Sequence, residues 1–222
     1  LTELIRPKLK SLKLNQIIRR EGPAKHYQKS GTPTMGGLSY VTVGVIIGNI
    51  ITYNNDSSHK ILSITSLTLG YMLIGLLDDW ESHNNNTNVG LSGKSKLFLQ
   101  ALIGTIFILY ANSQSWINAD VSLFLSNSIN LGILILPLAL FVILAESNAT
   151  NLTDGLDGLA SGCGSLVFAG LGFQLMLRGS DGDPAIAGFC ISMSGALIGF
   201  LFHNCNPAKI FMGDTGSLAL GG

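Results

Sequence analysis

The sequence predicts an all-α integral membrane protein, a polytopic bundle of about six transmembrane helices. Only 12% of its 222 residues are charged, which is about half of what a soluble domain usually carries. The uncharged residues form six runs, each near or above the roughly 18–20 residues that a helix needs to cross the hydrocarbon core. These runs are residues 30–55, 61–77, 97–119, 121–145, 158–177 and 184–208. A soluble helical core would show amphipathic stripes instead, so the runs favour membrane helices.

The connections between six such helices alternate between the two sides of the membrane, and the basic residues distinguish the sides. The first set of connections comprises residues 1–35, 78–96, 146–157 and 203–214. It carries all of the thirteen lysines and arginines except Lys60 and Arg178. Because positive charge favours the cytoplasmic side, we expect this set to be cytoplasmic, with residues 1–29 as a basic cytoplasmic segment.

Five aspartates lie on the same predicted side, at helix ends, although they would repel one another if they converged. They are Asp78, Asp79, Asp154, Asp157 and Asp214. A divalent cation or protonation would relieve that repulsion. One aspartate would suffice as an interfacial cap, whereas Mg²⁺ takes one or two carboxylates together with water and phosphate oxygens. The pattern therefore predicts chemistry on an anionic substrate, with Mg²⁺, at the membrane edge.

The stretch NLTDGLDGL, residues 151–159, places Asn151, Asp154 and Asp157 three residues apart. On a helix these side chains would share one side. Asp and Gly are also common residues of turns, so a loop is the alternative. The repeated Asp-Gly beside an asparagine, at the end of an apolar run, favours a binding site over an ordinary loop.

Two further stretches combine glycine with hydroxyl side chains. FMGDTGS, residues 211–217, fits a helix N-cap, and it also fits a carboxylate with hydroxyl and N–H groups around a metal-bound phosphate. An aspartic-protease role for its Asp-Thr-Gly is excluded, because that chemistry belongs to a soluble β fold. In KSGTPTMGG, residues 29–37, Lys29 could pair with a phosphate while Thr32 and Thr34 donate hydrogen bonds. The alternative is an interfacial anchor.

Five segments together are similar to the bacterial phospho-N-acetylmuramoyl-pentapeptide transferases, within the polyprenyl-phosphate N-acetylhexosamine-1-phosphate transferase superfamily. They are GTPTMGG (31–37), GLLDDW (75–80), GLSGKSKLFLQ (90–100), NLTDGLDGLA (151–160) and NPAKIFMGDTGSLALGG (206–222). The resemblance extends over nearly the whole chain. It implies Mg²⁺-dependent transfer of phospho-MurNAc-pentapeptide from UDP to undecaprenyl phosphate. The implied products are lipid I and UMP, formed at the cytoplasmic face of the bacterial inner membrane.

The same resemblance implies a role for each residue that matches the family's motifs. Asp78 and Asp79 match the paired catalytic aspartates, and Asp214 matches the Mg²⁺-binding aspartate. Residues that match positions around the nucleotide sugar are Lys29, Thr34, Asn151, Asp154, Asp157, Asn204 and Phe211, with Phe211 available to stack on uracil. The implied partners are UDP-MurNAc-pentapeptide, undecaprenyl phosphate and membrane lipid, with no nucleic acid. A homodimer stays open.

The chain departs from the family pattern in two respects. The family usually has a lysine three residues after the second aspartate, where this chain has Ser82, and Lys94 and Lys96 are the candidates to supply that charge. The family also has a helix before residue 1 and further helices after GDTGS. We therefore expect residues 1–222 to be one membrane-embedded transferase domain that forms part of a protein of roughly ten helices.

Two other functions stay open at this point. An enzyme that transfers N-acetylglucosamine phosphate to a polyprenyl phosphate would share the aspartate motifs, although GTPTMGG is not expected in it. A cation-coupled transporter would place carboxylates near the bilayer midplane, where only Glu146 of this sequence could lie.

Overall fold

The computed structural model describes residues 1–12, 31–53, 57–85, 89–122 and 128–222. Within these ranges the chain forms eight α-helices and one β-hairpin. The helices are α1 (Thr2–Ser11), α2 (Gly37–Thr52), α3 (Ser58–Asn84), α4 (Gly93–Ser113), α5 (Ile135–Thr153), α6 (Leu159–Arg178), α7 (Asp183–Asn204) and α8 (Gly213–Gly221). The hairpin strands are β1 (Asp120–Ser122) and β2 (Ser128–Asn130). Of the predicted basic segment 1–29, only residues 1–12 fall within the described ranges.

The predicted membrane bundle is confirmed in the described part of the chain. Five segments are long and apolar enough to cross a membrane: Ser58–Asn84, Gly93–Ser113, Gly132–Thr153, Leu159–Arg178 and Asp183–Asn204. The first predicted run instead forms the shorter apolar helix α2. Its leading residues pair with the segment before α8: Phe211 donates its N–H to the Pro33 carbonyl, and Gly36 donates its N–H to the Phe211 carbonyl. The run therefore becomes helical only from Gly37.

The run 121–145 differs from the single helix that the sequence predicted, because its first residues form the hairpin. Asp120 pairs with Asn130 and Val121 with Ile129. The Asn130 amide donates to Asp120 Oδ1 at 2.7 Å, and its Oδ1 accepts the Gly132 N–H at 2.9 Å. A short 3-10 turn, Gly132–Leu134, follows. As a result α5 begins only at Ile135 and continues to Thr153.

The helix ends divide into two sets, as alternating connections require. At one end α3, α5 and α7 finish while α4, α6 and α8 begin, and this acidic end holds all five of the predicted site aspartates. At the opposite end the guanidinium of Arg178 forms two hydrogen bonds, of 2.6 and 2.5 Å, with the buried carboxylate of Asp183. That pair closes the connection between α6 and α7.

Helix α8 is enclosed by α2, α3 and α5, and its residues from Thr215 to Ala219 are buried. Glycine permits this close packing. A Cβ atom on Gly75 of α3 would overlap the backbone of Asp214, and one on Gly37 of α2 would overlap Gly216. The backbone of α8 therefore rests directly on the two neighbouring helices, with no side chain between them.

Gly75→Ala is expected to lower the melting temperature of the purified protein. The added methyl group must push α8 away from α3, and overpacking of this kind costs about 1–3 kcal/mol. The matched control is Gly170→Ala in α6, where an added Cβ has no atom within 4 Å and alanine is the better helix former. Thermal unfolding of both variants in detergent measures the difference. Equal melting temperatures would contradict the packing of α8 on Gly75.

Candidate active site

Three aspartates from two helices converge at the acidic end of the bundle. Asp78 and Asp79 lie near the end of α3, and Asp214 lies in the first turn of α8. Each carboxylate offers one oxygen atom, and these three oxygens lie within 4.8 Å of one another. Asp79 and Asp214, 135 positions apart in the sequence, thus lie with Asp78 in one acidic cluster, the acidic pocket.

Asp78 faces α4 and the loop that precedes it. The side chain is buried, with its Oδ1 accepting the Leu91 N–H at 2.9 Å and lying 3.0 Å from Lys96 Nζ. The same ammonium lies 2.5 Å from Asp214 Oδ2. Lys96 therefore links two of the three carboxylates. Of the two lysines considered as substitutes for the missing lysine at position 82, Lys96 is the one that lies in the pocket.

Asp79 faces α8 instead. Its Oδ1 accepts the Asp214 N–H at 3.2 Å, and its Oδ2 accepts the N–H and the hydroxyl of Thr215 at 3.0 and 2.6 Å. First-turn N–H groups have no partner within their own helix, so Asp79 caps α8 from a different helix. The sequence left open whether Asp214 is a helix cap or a metal ligand. The side-chain cap of α8 comes from Asp79, and the Asp214 carboxylate contacts Lys96.

Asp154 lies beside this pocket, in the turn that follows α5. Its carboxylate accepts a hydrogen bond from the Gly213 backbone. Burial raises the pKa of Asp154 to about 8, and the negative charges of Asp214 and Asp79 add to that shift. Asn151 lies in the last helical turn, where its amide donates to Ser217 Oγ at 3.0 Å. The NLTDGLDGL stretch is therefore divided between a helix end and a turn.

Asp157 and Asn204 hold the loop between α7 and α8. Asp157 accepts a backbone N–H from that loop at 3.3 Å. Asn204 is 1% exposed. Its Oδ1 accepts hydrogen bonds from the Ser161 hydroxyl at 2.8 Å and from the Gly158 N–H at 3.2 Å. Its Nδ2 donates to the Ile210 carbonyl at 3.0 Å. The Asn204 amide is thus bonded inside the protein through both its oxygen and its nitrogen.

Three predicted substrate residues remain. Thr34 is close to the pocket, because a Cβ atom on Gly213 would lie 2.8 Å from its hydroxyl oxygen. Gly213 has a φ of +71°, a backbone conformation that favours glycine. Phe211 is partly exposed, and its backbone pairs with that of the GTPTMGG segment. Lys29 lies outside the described residues.

The charge of the pocket matches a divalent cation. When Asp154 is protonated, the three carboxylates of Asp78, Asp79 and Asp214 and the ammonium of Lys96 give the described part of the pocket a formal charge of −2. Carboxylate oxygens are the protein ligands that Mg²⁺ takes, in combination with water and phosphate. The donor set therefore fits one Mg²⁺ ion beside an anionic substrate.

Sequence reasoning missed the partners of two hydroxyl groups near Asp214. In the sequence, FMGDTGS fitted either a helix N-cap or a site where its hydroxyls, those of Thr215 and Ser217, contact a metal-bound phosphate. The Thr215 hydroxyl bonds instead to Asp79, and the Ser217 hydroxyl donates to the Gly213 carbonyl at 3.1 Å. The only signal in the sequence was the presence of hydroxyls at these positions, which does not indicate whether their partner is a ligand or another helix.

Membrane-length helices with an acidic cluster at one end define a multi-pass membrane protein whose three aspartates could hold a metal ion. The chain belongs to glycosyl transferase family 4, whose family model matches residues 61–222.

Curated relatives cover nearly all of this chain. The protein of Prochlorococcus marinus (strain MIT 9313) is 60% identical over 215 residues, which are 97% of this chain and 58% of the relative. The protein of Synechococcus sp. (strain CC9311) is 58% identical over 216 residues, again 97% and 58% of the two chains. That of Synechococcus elongatus is 47% identical over 219 residues, with the same coverage. All three are named phospho-N-acetylmuramoyl-pentapeptide-transferase. The resemblance indicated by the motifs is confirmed, and the chain spans just under three fifths of the length of these relatives.

Asp154→Asn is expected to stabilise the metal-free protein progressively as the pH rises. An unfolded aspartate has a pKa of about 3.9, whereas burial holds that of folded Asp154 at about 8. Folding therefore takes up a proton between these values, and the wild type loses stability from about pH 4 to about pH 8. Melting temperatures in EDTA across this range measure the difference between the variant and the wild type.

The matched control is Asp181→Asn, which removes an exposed carboxylate at the opposite end of the bundle. The difference in melting temperature between this variant and the wild type should not change systematically between pH 4 and pH 8. If the difference for Asp154→Asn stayed constant from pH 4 to pH 8, the buried, protonated carboxyl would be ruled out.

Proposed function

We propose that the full-length protein transfers phospho-MurNAc-pentapeptide from UDP-MurNAc-pentapeptide to undecaprenyl phosphate, forming lipid I and releasing UMP. The observation that carries this proposal is the convergence of Asp78, Asp79 and Asp214 around Lys96 at one end of the membrane-length helices. A site at the ends of the membrane-length helices can bind a lipid phosphate in the headgroup layer and a soluble nucleotide sugar at the same time. The names of the relatives support phospho-N-acetylmuramoyl-pentapeptide as the group that is transferred.

We place this end of the bundle on the cytoplasmic side of the bacterial inner membrane. Lysines and arginines favour that side, and the acidic end carries Arg6, Lys8, Lys10, Lys94, Lys96 and Lys209, whereas Lys60 and Arg178 lie at the other end. A nucleotide-activated donor is available on the same side. The charge asymmetry and the substrate chemistry thus favour the same orientation.

In the proposed reaction an oxygen of the lipid phosphate attacks the phosphorus atom that bears the sugar. A new P–O bond forms there while the bond to the oxygen of UMP breaks, and UMP leaves with that oxygen and its electron pair. A phosphate oxygen is already a competent nucleophile once it is oriented. We therefore favour direct attack over a covalent enzyme intermediate.

The proposed role of each residue in the pocket follows from its position. Lys96 holds its ammonium between Asp78 and Asp214, where it can also pair with phosphate oxygens. Asp78 orients that ammonium and faces the incoming lipid phosphate. Asp214, with Asp78 or Asp79, would hold Mg²⁺, which supplies charge neutralisation for the diphosphate and for the UMP leaving group.

We assign the nucleotide sugar to the surface formed by the turn after α5 and the segment before α8. Asp154, whose pKa is raised by burial to about 8, can donate a hydrogen bond there when it is protonated, and Asn151 lies one turn earlier on α5. The partly exposed ring of Phe211 can stack on uracil, with Thr34 and Lys29 contributing hydrogen bonds and positive charge. Asp157 and Asn204 bond to backbone groups of this region, so we assign them to shaping the site.

The deciding experiment compares two donors. Purified full-length protein in vesicles containing undecaprenyl phosphate and Mg²⁺ is supplied with either UDP-MurNAc-pentapeptide or UDP-GlcNAc. We expect release of UMP, with a lipid-linked product, from the first donor alone. Release from UDP-GlcNAc alone would identify a GlcNAc-1-phosphate transferase, and release from neither donor would contradict both functions.

Asp214→Asn is the variant that ties this activity to the acidic pocket. Asparagine caps helices about as well as aspartate, and the cap of α8 is in any case Asp79, so the variant should fold. Loss of a positioned charged group should reduce turnover by on the order of 10²-fold and raise the Mg²⁺ requirement. A magnesium titration that overlays the wild type, at the same maximal rate, would exclude Asp214 from the metal site.

The orientation is tested by cysteine labelling of intact cells. After replacement of the native cysteines, an impermeant thiol reagent should label Asp181→Cys and leave Lys94→Cys unlabelled, since both positions are exposed and lie at opposite ends of the bundle. Lys94→Cys should react once the membrane is permeabilised. Labelling of Lys94→Cys from outside would reverse the proposed orientation.

A further inference from the structure

The protein itself occupies most of the hydrogen-bond acceptor sites of the Asp79 carboxylate. A carboxylate has about two acceptor sites on each oxygen. Thr215 occupies both sites on Asp79 Oδ2, with its N–H at 3.0 Å and its hydroxyl at 2.6 Å. The Asp214 N–H occupies one site on Oδ1. Only Oδ1 of Asp79 therefore has acceptor capacity left for a ligand.

Thr215 itself cannot touch the substrate. The residue is 0% exposed and lies in the first turn of α8, beneath Asp214. Its backbone is fixed, because Gly75 of α3 lies one helical turn before Asp79 and packs directly against the Asp214–Thr215 peptide. The short hydroxyl contact thus joins two rigid elements, and it sets the orientation of the Asp79 carboxylate.

We propose that Thr215 is a positioning residue that acts through Asp79, holding Oδ2 so that Oδ1 faces the pocket shared with Asp78 and Asp214. The proposal rests on the function proposed above and names a residue that supports it from outside the pocket. Without the hydroxyl, the Asp79 carboxylate can rotate and offer a different oxygen. The geometry of the cation site then becomes less defined, although every residue that lines the pocket is unchanged.

The test compares two substitutions of Thr215 in the full-length protein. Thr215→Val keeps the branched shape and removes the hydroxyl, whereas Thr215→Ser keeps the hydroxyl. Loss of a group that orients a metal ligand costs about 10–100-fold in metal affinity or activity. We therefore expect Thr215→Val to lose about tenfold or more in kcat, with the KM for the nucleotide donor nearly unchanged, and Thr215→Ser to stay near the wild type.

A second readout does not depend on turnover. Binding of Mn²⁺ in the presence of UMP, followed by electron paramagnetic resonance, should weaken about tenfold in Thr215→Val and not in Thr215→Ser. The matched control is Thr68→Val, which removes a buried hydroxyl from α3 whose partner is the Ile64 carbonyl of the same helix. It should leave both kcat and Mn²⁺ binding unchanged.

A double variant identifies the path through which Thr215 acts. In an Asp79→Ala background the hydroxyl has lost its partner, so Thr215→Val should cause no further loss of Mn²⁺ binding. Equal kcat and Mn²⁺ affinity in Thr215→Val and the wild type would overturn the proposal, as would no Mn²⁺ binding by the wild type. A wild type that binds Mn²⁺ in this pattern but transfers neither donor would leave the role of Thr215 standing and remove the proposed function.

Discussion

The contact between the Asp79 carboxylate and the first turn of α8 is the one on which the rest of the site depends. A helix that begins inside a bundle has N–H groups that neither water nor its own carbonyls can satisfy. Asp79 supplies that acceptor from α3, and its negative charge is favoured at the positive end of the helix dipole. Gly75 lets the two backbones approach closely enough for the contact. Asp214 is brought to Lys96 as a consequence.

The same arrangement explains how two adjacent aspartates can coexist with a third. Each has a separate set of partners: Asp78 bonds to the Leu91 N–H and to Lys96, and Asp79 bonds to the start of α8. Repulsion is offset locally, but among the described residues the Lys96 ammonium balances only one of the three carboxylate charges. The pocket therefore keeps a net negative charge, which a divalent cation bound together with a phosphate substrate would offset. Folding favours carboxylates that have partners, whereas binding a cation requires carboxylates that keep negative charge. The start of α8 meets both requirements, because it bonds to Asp79 and places Asp214 in the pocket.

A layer of polar contacts beneath the pocket fixes the register of the surrounding helices. The buried Gln100 of α4 accepts a hydrogen bond from the Asn148 amide of α5 at 2.8 Å, and its backbone carbonyl accepts one from the Tyr71 hydroxyl of α3 at 2.9 Å. Ser147 of α5 donates to the Leu218 carbonyl of α8 at 3.1 Å. Polar groups at this level have no water to bond with, so sliding any of these helices would leave several unsatisfied.

The membrane bundle and its family can be predicted from the sequence alone. Long uncharged runs are typical of membrane helices and not of soluble domains, and the combination of motifs is specific to the family. Local patterns also indicate that aspartates gather at one membrane edge. They do not indicate that Asp78 turns toward Lys96 while Asp79 caps α8, nor that Asn204 is bonded within the protein, because most of those partners come from other helices and loops. The hairpin at Asp120 and the late start of α5 are likewise set by the Asn130 side chain and not by hydrophobicity. Composition determines which segments enter the membrane, whereas packing of α8 among its neighbours decides what each carboxylate faces, since hydrogen-bond geometry depends on three-dimensional distance and not on spacing along the chain.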